Sequence, residues 1–283
     1  MSRSKLFVVL SLLSLLPATV LAQDDPGFVW ENATELSYAA TAGNASTNAF
    51  AVAAELTGTG GPNEFKLQIG GIRASSETTT RTATMTATDV EIQETTTSGL
   101  SAASYFAKAR YDRAFSGAFA FGGAGWERNT FSGFENRFSV VVGVGRTWVD
   151  SESGHFKTDV GGTYTIQKDV DPAPGADDAF AGARLSVDAA RSLTSTTDLT
   201  SKLVADQNVE EGEDLRADWT NSLSVSISEG LALKTSYQIL YDRQPALLRV
   251  PLLDLGGAPT GGTVLTEGEE FDTVLTLALV IKL

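Results

Sequence analysis

The side chains best able to do chemistry in this sequence are few and widely spaced. The chain has one histidine, His155, and no cysteine. A histidine could act as the general base of a hydrolase, but that chemistry needs a serine and an orienting polar group beside it. The residue pattern around His155 instead places it next to a polar turn. A solvated turn histidine is therefore the better interpretation, and we expect no catalytic residue.

A second candidate is the acidic segment that contains Asp169, Asp171 and Asp177, which faintly resembles a calcium loop. Ala173 stands where such a loop would need an oxygen ligand, and two prolines disturb the spacing. Two further acidic runs, at 210–214 and 267–272, could hold divalent ions that bridge lipopolysaccharide phosphates. Surface solubility explains all three better, so the sequence predicts neither a metal site nor a cofactor.

Composition removes several other classes of protein. With 35 Asp plus Glu against 21 Lys plus Arg, the net charge of −14 argues against a nucleic-acid partner. The absence of cysteine excludes a disulfide scaffold and thiolate metal sites. A hydrophobic fraction of 42% is ordinary for a folded chain.

The N-terminal segment looks like an export signal rather than part of the fold. Arg3 and Lys5 precede an apolar run from Leu6 to Leu16, and Val20 and Ala22 supply the small residues of a cleavage site. The apolar run is shorter than the ~20 residues that a membrane helix needs. We therefore divide the chain into a signal peptide, residues 1–22, and one domain, residues 23–283.

Beyond residue 22 the dominant pattern is alternation with a period of two, which indicates β-strands. In the clearest stretch, Phe138, Val142 and Trp148 share one parity, whereas Arg137 and Ser139 share the other. About twelve such segments follow one another, each roughly 10 to 15 residues long, as in strands that cross a bilayer at a tilt. In the early half the same rule places Phe119 and Phe121 on the apolar parity.

Connection lengths separate the two architectures that produce this alternation. A soluble β-sandwich buries its apolar parity between two sheets, whereas a transmembrane barrel turns that parity toward lipid. Short connections alternate with long ones, of which Ser75–Ser98 and Gln244–Glu269 are the longest. Bacterial outer-membrane barrels have short periplasmic turns and long extracellular loops. The sequence thus predicts an all-β, antiparallel, transmembrane up-and-down β-barrel with the long loops outside.

The polar parity would then face the interior of the barrel and carry charges of both signs. Such charges can pair across neighbouring strands. Arg128 and Arg137 flank one extracellular hairpin, and we expect Asp218, Asp242 or inward-folded acidic loops to lie near them. The residues predicted to face the lumen are Arg110, Asp112, Arg128, Arg137, Arg184, Asp218, Lys234 and Asp242.

Short motifs, taken in order, also resemble a known family. They comprise an opening strand that ends in a Thr-x-Gly-Asn turn, repeated aromatic–acid–Arg triplets, and an arginine followed by a Gly-x-Gly strand. The segments are Trp30-Glu31, Leu36-Ser37-Tyr38, Thr41-Ala42-Gly43-Asn44, Tyr111-Asp112-Arg113, Trp126-Glu127-Arg128, Arg137 with Gly143-x-Gly145, and Tyr241-Asp242-Arg243. The chain resembles the salt-induced outer-membrane proteins catalogued as domain of unknown function 481. The resemblance implies a barrel and no established site residues.

The sequence specifies the function of the protein less closely than its fold. A twelve-strand barrel lies between barrels filled by their own side chains and barrels with a water channel. We expect either a narrow channel or an envelope-stabilising barrel in the bacterial outer membrane. Its partners would be outer-membrane lipid, lipopolysaccharide, the barrel-insertion machinery and small solutes. A lipid-modifying outer-membrane enzyme and a soluble periplasmic all-β protein are the alternatives.

Overall fold

The structure is a computed structural model, and it describes residues 27–41, 45–85, 90–130, 132–172, 178–245 and 247–282. The predicted signal peptide, residues 1–22, lies outside this part of the chain, as does Asp177 of the acidic segment. None of the described residues forms a helix long and apolar enough to cross a membrane.

The described chain is built from β-strands and their connections. Period-two patterning and an abundance of Val, Thr, Tyr and Phe favour strands at these positions. The strands are β1 (Val29–Thr41), β2 (Ala45–Gly60), β3 (Asn63–Met85), β4 (Val90–Phe115), β5 (Ala118–Asn129), β6 (Phe134–Ser151), β7 (Gly154–Asp169), β8 (Ala179–Ser192), β9 (Thr197–Asn208), β10 (Leu215–Ser228), β11 (Leu231–Asp242), β12 (Leu247–Leu253), β13 (Pro259–Glu267) and β14 (Phe271–Lys282).

Twelve of these strands close into a barrel in which each is antiparallel to its neighbours. The first strand closes the sheet on the last, with Ala33 opposite Lys282 and Leu36 opposite Leu279. Strands β12 and β13 form a separate hairpin in the connection between β11 and β14. Closure removes the free sheet edges that a membrane would leave without hydrogen-bond partners. The predicted fold class and strand number are confirmed.

One face of the barrel strands is apolar and exposed, as a lipid-facing surface requires. Val142, in the middle of β6, is 68% exposed, and Phe138 and Trp148 near the two ends of that strand are also exposed. This Phe and Trp are ten positions apart in the sequence. At ~3.3 Å per residue and a tilt of about 40° they bound a band of about 25 Å, the height of a hydrocarbon core.

The two ends of the barrel differ in their connections. At the short-turn end, two residues suffice between β4 and β5: Ser116 and Gly117 have φ angles of 50° and 81°. Two successive positive φ angles characterise the type I′ turn, whose twist matches that of paired strands. The opposite, long-loop end carries the 209–214 segment and the β12–β13 hairpin. The predicted asymmetry is therefore present.

The two longest predicted loops are not loops, and this part of the prediction was wrong. Most of Ser75–Ser98 belongs to β3 and β4, which remain paired from Ala74 outward to Met85 and Val90. The segment is rich in Thr on both faces, so it lacks the apolar alternation by which strands are recognised. Its pairing depends on backbone ladders and on contacts such as Thr79 Oγ1 to Thr96 Oγ1, 3.1 Å. Likewise, Gln244–Glu269 contains β12 and β13.

Candidate functional site: the barrel interior

Contacts between strands that are not neighbours identify the inward face. Arg110 on β4 reaches Asp159 on β7, with 2.9 Å between Nη2 and Oδ2. Lys157 on β7 lies 3.7 Å from Glu64 on β3. Two other strands separate the first pair and three separate the second. Such side chains can meet only through the interior, so their parity faces the lumen.

The strand registers extend this assignment around the barrel. Paired residues on adjacent strands point to the same side of a sheet. Seven of the eight residues predicted to face the lumen lie on the inward face by this criterion: Arg110, Asp112, Arg137, Arg184, Asp218, Lys234 and Asp242.

Arg128 is the exception, and its assignment to the lumen was wrong. β5 alternates regularly, so Glu127 takes the inward position opposite Arg137. Arg128 consequently shares the outward face of Trp126. Its Nη1 donates to the carbonyl oxygen of Glu135, 3.1 Å away, at the rim of the barrel. The error has the same origin as the placement of Phe119 and Phe121 on the lipid face, because that placement reverses the parity of every position in β5.

Near the short-turn end, Arg110 joins two carboxylates. Its Nε donates to Asp112 Oδ1 at 2.7 Å, and its Nη2 donates to Asp159. The guanidinium carbon also lies 3.9 Å from the ring centroid of Phe121. Cation–π contact and two acids together hold this arginine against one wall of the lumen.

Phe119 and Phe121 face the lumen, contrary to the prediction that they face lipid. Each is 5% exposed, and they cluster with Val141. Glycines opposite them supply the space: a Cβ at Gly143 would lie 2.7 Å from Phe121 Cε1, and a Cβ at Gly145 would overlap the Phe119 ring. Aromatic rings therefore fill a groove that the glycines leave in the inner wall.

A second group of charges lies around the middle of the barrel. Lys66 lies 3.8 Å from Glu55 and 3.5 Å from Glu64. On the neighbouring part of the wall, Lys234 donates to Glu35 across β14, with 2.6 Å between Nζ and Oε1. These acids on β1 and β2 are thus compensated by lysines on other strands of the barrel.

His155 belongs to this interior network. Its Nε2 lies 3.0 Å from Asp188 Oδ1, and the other carboxylate oxygen of Asp188 lies 3.8 Å from Lys202. The histidine faces the lumen near the short-turn end, whereas a lipid-modifying site would need it on the outer face. Among the described residues, no group of three or more His, Cys, Asp or Glu is arranged to hold a metal ion.

Near the long-loop end, two arginines converge on one glutamine. Gln167 Oε1 accepts from Arg137 Nε at 2.6 Å and from Arg216 Nη1 at 3.1 Å. Arg216 also lies 3.2 Å from Asp214, which belongs to the acidic 209–214 segment. β6 and β10 are four strands apart. The glutamine thus bridges the lumen, and Asp214 of the acidic segment pairs with Arg216, which was not one of the two arginines expected at the mouth.

Of the two acids expected near Arg128 and Arg137, Asp242 interacts electrostatically with Arg137 and lies directly opposite Arg216 on the neighbouring strand. Asp218 accepts from Gln238 at 2.9 Å, and Asp242 accepts from the backbone N–H of Gln244 at 3.1 Å. Arg184 forms a two-point pair with Asp206.

Sequence patterning missed Glu127 and gave no role to Gln167. The registers were the only signal that could have found them: both residues lie directly opposite Arg137, on the two neighbouring strands. Strand order therefore brings together three residues that are up to 40 positions apart in the sequence.

A closed barrel with an apolar outer belt and paired charges inside defines the class of this protein as a transmembrane β-barrel of the bacterial outer-membrane type. Residues 34–247 match the family described as "Protein of unknown function, DUF481", and the chain belongs to that family. The predicted family resemblance is confirmed. Among curated proteins, none matches the sequence.

Several solved structures are similar in outline. The translocator domain of the autotransporter NalP from Neisseria meningitidis has a TM-score of 0.42 at 10% identity, covering 92% of this chain and 89% of that one. An outer-membrane channel from Pseudomonas putida F1 has a TM-score of 0.41 at 11% identity, covering 91% and 95%. An anion-selective porin from Comamonas acidovorans has a TM-score of 0.39 at 10% identity, covering 90% and 99%.

Proposed function

We propose that this protein resides in the bacterial outer membrane and provides a narrow, water-filled passage for small solutes. The observation that carries the proposal is the exposure of charged side chains inside the barrel. Lys108 and Lys202 face the lumen, yet each side chain keeps 45% of its accessible surface. Charged groups are stable inside a barrel when water reaches them.

The passage is narrow because side chains cross it at two heights. The contacts of Arg110 with Asp159 and of Lys157 with Glu64 narrow the short-turn half. The Gln167 bridge narrows the long-loop half. A solute that passes must fit beside these contacts, so the proposal is restricted to small ions and small polar molecules.

These crossings also favour a second candidate, a barrel that serves only to stabilise the envelope. Cross-lumen ion pairs in a low-dielectric interior brace opposite walls. If these ion pairs leave no opening between them, the lumen is closed and solutes do not pass.

Single-channel recording on the purified protein distinguishes the narrow channel from the closed barrel. We expect small, uniform single-channel steps when the folded full-length barrel is inserted into a planar bilayer in potassium chloride. The currents should fall well below those of a sixteen-strand porin, whose channel is wider. Insertion verified by heat-modifiable gel migration, without any conductance, would instead support the closed barrel.

Orientation gives a separate prediction. We propose that the short-turn end faces the periplasm and the long-loop end faces outward, as in other outer-membrane barrels. An epitope inserted at Gly256, between β12 and β13, should be labelled on intact cells. The same epitope at Ser116 or Ser153 should be labelled only after the outer membrane is permeabilised. Labelling of Ser116 or Ser153 on intact cells, without labelling of Gly256, would show that the orientation is the reverse of the one proposed.

A further inference from the structure

We infer that Arg137 and Arg216 form a binding site for a small oxyanion, a carboxylate or inorganic phosphate, in the lumen near the long-loop end. The inference deepens the proposed function, since it names what the passage recognises. It begins from an imbalance: two guanidinium groups donate to a single neutral oxygen, that of Gln167. Like charges held so close repel each other unless acids compensate both.

The glutamine is held in place by another contact. Its Nε2 donates to Asp169 Oδ1 at 2.7 Å, which directs Oε1 toward the two arginines. The amide therefore orients the guanidinium groups but adds no negative charge between them.

The surrounding acids compensate the two arginines unequally. Asp214 lies 3.2 Å from Arg216 Nε and 3.5 Å from its Nη2. For Arg137, the one ion pair among the described residues is with Glu127, whose Oε2 lies 4.0 Å from Nη1, and Asp242 and Asp214 act on it from farther away. Glu127 forms a closer ion pair with Lys108, in which 2.5 Å separates Glu127 Oε1 from Lys108 Nζ. Within the described ranges, neither Nη atom of Arg137 has a hydrogen-bond acceptor.

Aromatic rings contact the faces of both guanidinium groups, so these contacts do not use the Nη donors of Arg137. The guanidinium carbon of Arg137 lies 3.9 Å from the ring centroid of Phe134, and that of Arg216 lies 5.1 Å from the centroid of Phe180. A guanidinium held against a ring in this way can still donate from its edge. The Arg137 side chain keeps 18% of its surface accessible and is therefore not completely covered by its neighbours.

These features select the chemistry of the ligand. The fork of N–H donors on a guanidinium fits two oxygens of a carboxylate or phosphate, and such charge-assisted pairs are stronger than neutral hydrogen bonds. An oxyanion beside Gln167 would satisfy the free Nη donors of Arg137 and reduce its repulsion with Arg216. The narrow lumen limits the ligand to a small one.

Calorimetric titration of the folded, full-length barrel in detergent with inorganic phosphate tests the site. Wild type should bind about one phosphate per chain, and acetate should compete. Arg137→Gln should weaken phosphate binding about tenfold or more, because a charged hydrogen-bond donor is lost. Arg137→Lys should retain part of the affinity. Arg146→Gln is the matched control, since Arg146 lies on the same strand but faces outward over Trp148.

Equal phosphate affinity in wild type and Arg137→Gln, or no phosphate binding by wild type, would overturn the site. Heat-modifiable migration verifies that each variant is folded before titration. The titration involves no current, so the site and the channel can fail separately. A barrel that binds phosphate but never conducts would refute the passage alone, and one that conducts without binding would refute the site alone.

Discussion

Val142→Arg should abolish stable insertion of the barrel. Val142 lies in the middle of β6 and is 68% exposed on the apolar face. An arginine there would place a charge near the bilayer midplane at a cost of ~2–4 kcal/mol. The measurement is heat-modifiable gel migration after refolding into lipid vesicles, in which folded and unfolded barrels separate.

Ser139→Arg is the matched control, because the same charge enters the same strand on the opposite face. Ser139 lies opposite Gly125 and Thr165, facing the lumen. Water and neighbouring acids can accommodate the charge there, so most of the protein should still fold. Equal loss of folded barrel in both variants would contradict the assignment of the two faces.

Replacement of Phe119 and Phe121 together by alanine should produce the second large effect, a wider lumen. Both rings fill the groove over Gly143 and Gly145, and one of them supports Arg110. Removing a buried phenylalanine costs ~3–5 kcal/mol in a dry core. Water can enter the space left by the rings, so the loss of folding free energy per ring should be near the lower end of this range. We expect a lower melting temperature together with a larger single-channel conductance.

Phe138→Ala provides the comparison for this variant. Phe138 is exposed on the lipid face of β6, so its removal changes the outer surface and not the lumen. Its conductance should equal that of wild type. If the double variant kept both the stability and the conductance of wild type, the rings would neither brace nor narrow the interior.

The sequence was sufficient for the architecture because one physical constraint acts at every position of a membrane barrel. Each strand must present mostly apolar residues to lipid at every second position, and Phe138 to Trp148 follows this rule except at Arg146. The same rule fails where lipid is absent. The Thr-rich segment around Thr79 and Thr96 has no apolar face, so pairing of β3 and β4 beyond the barrel left no periodic signal.

Parity alone also failed on β5, where inward positions carry aromatic residues. Phe121 reads as lipid-facing, yet β4 places it opposite Asp112, and glycines on the facing strands make room for the ring. Arg128 reads as inward, yet Glu127 occupies that position. The face that each of these residues takes depends on the residues opposite it on the neighbouring strand. The sequence of one strand alone does not contain that information.

The sequence by itself thus determined the class of fold, the strand number and the face of most charged residues. Only the tertiary structure decided which of those charges meet. Closing twelve strands into a barrel brings Arg137 and Arg216 to one oxygen of Gln167, although 79 positions separate the two arginines in the chain. Alternation is a property of one strand, whereas a contact across the lumen depends on the registers of all the strands between its partners.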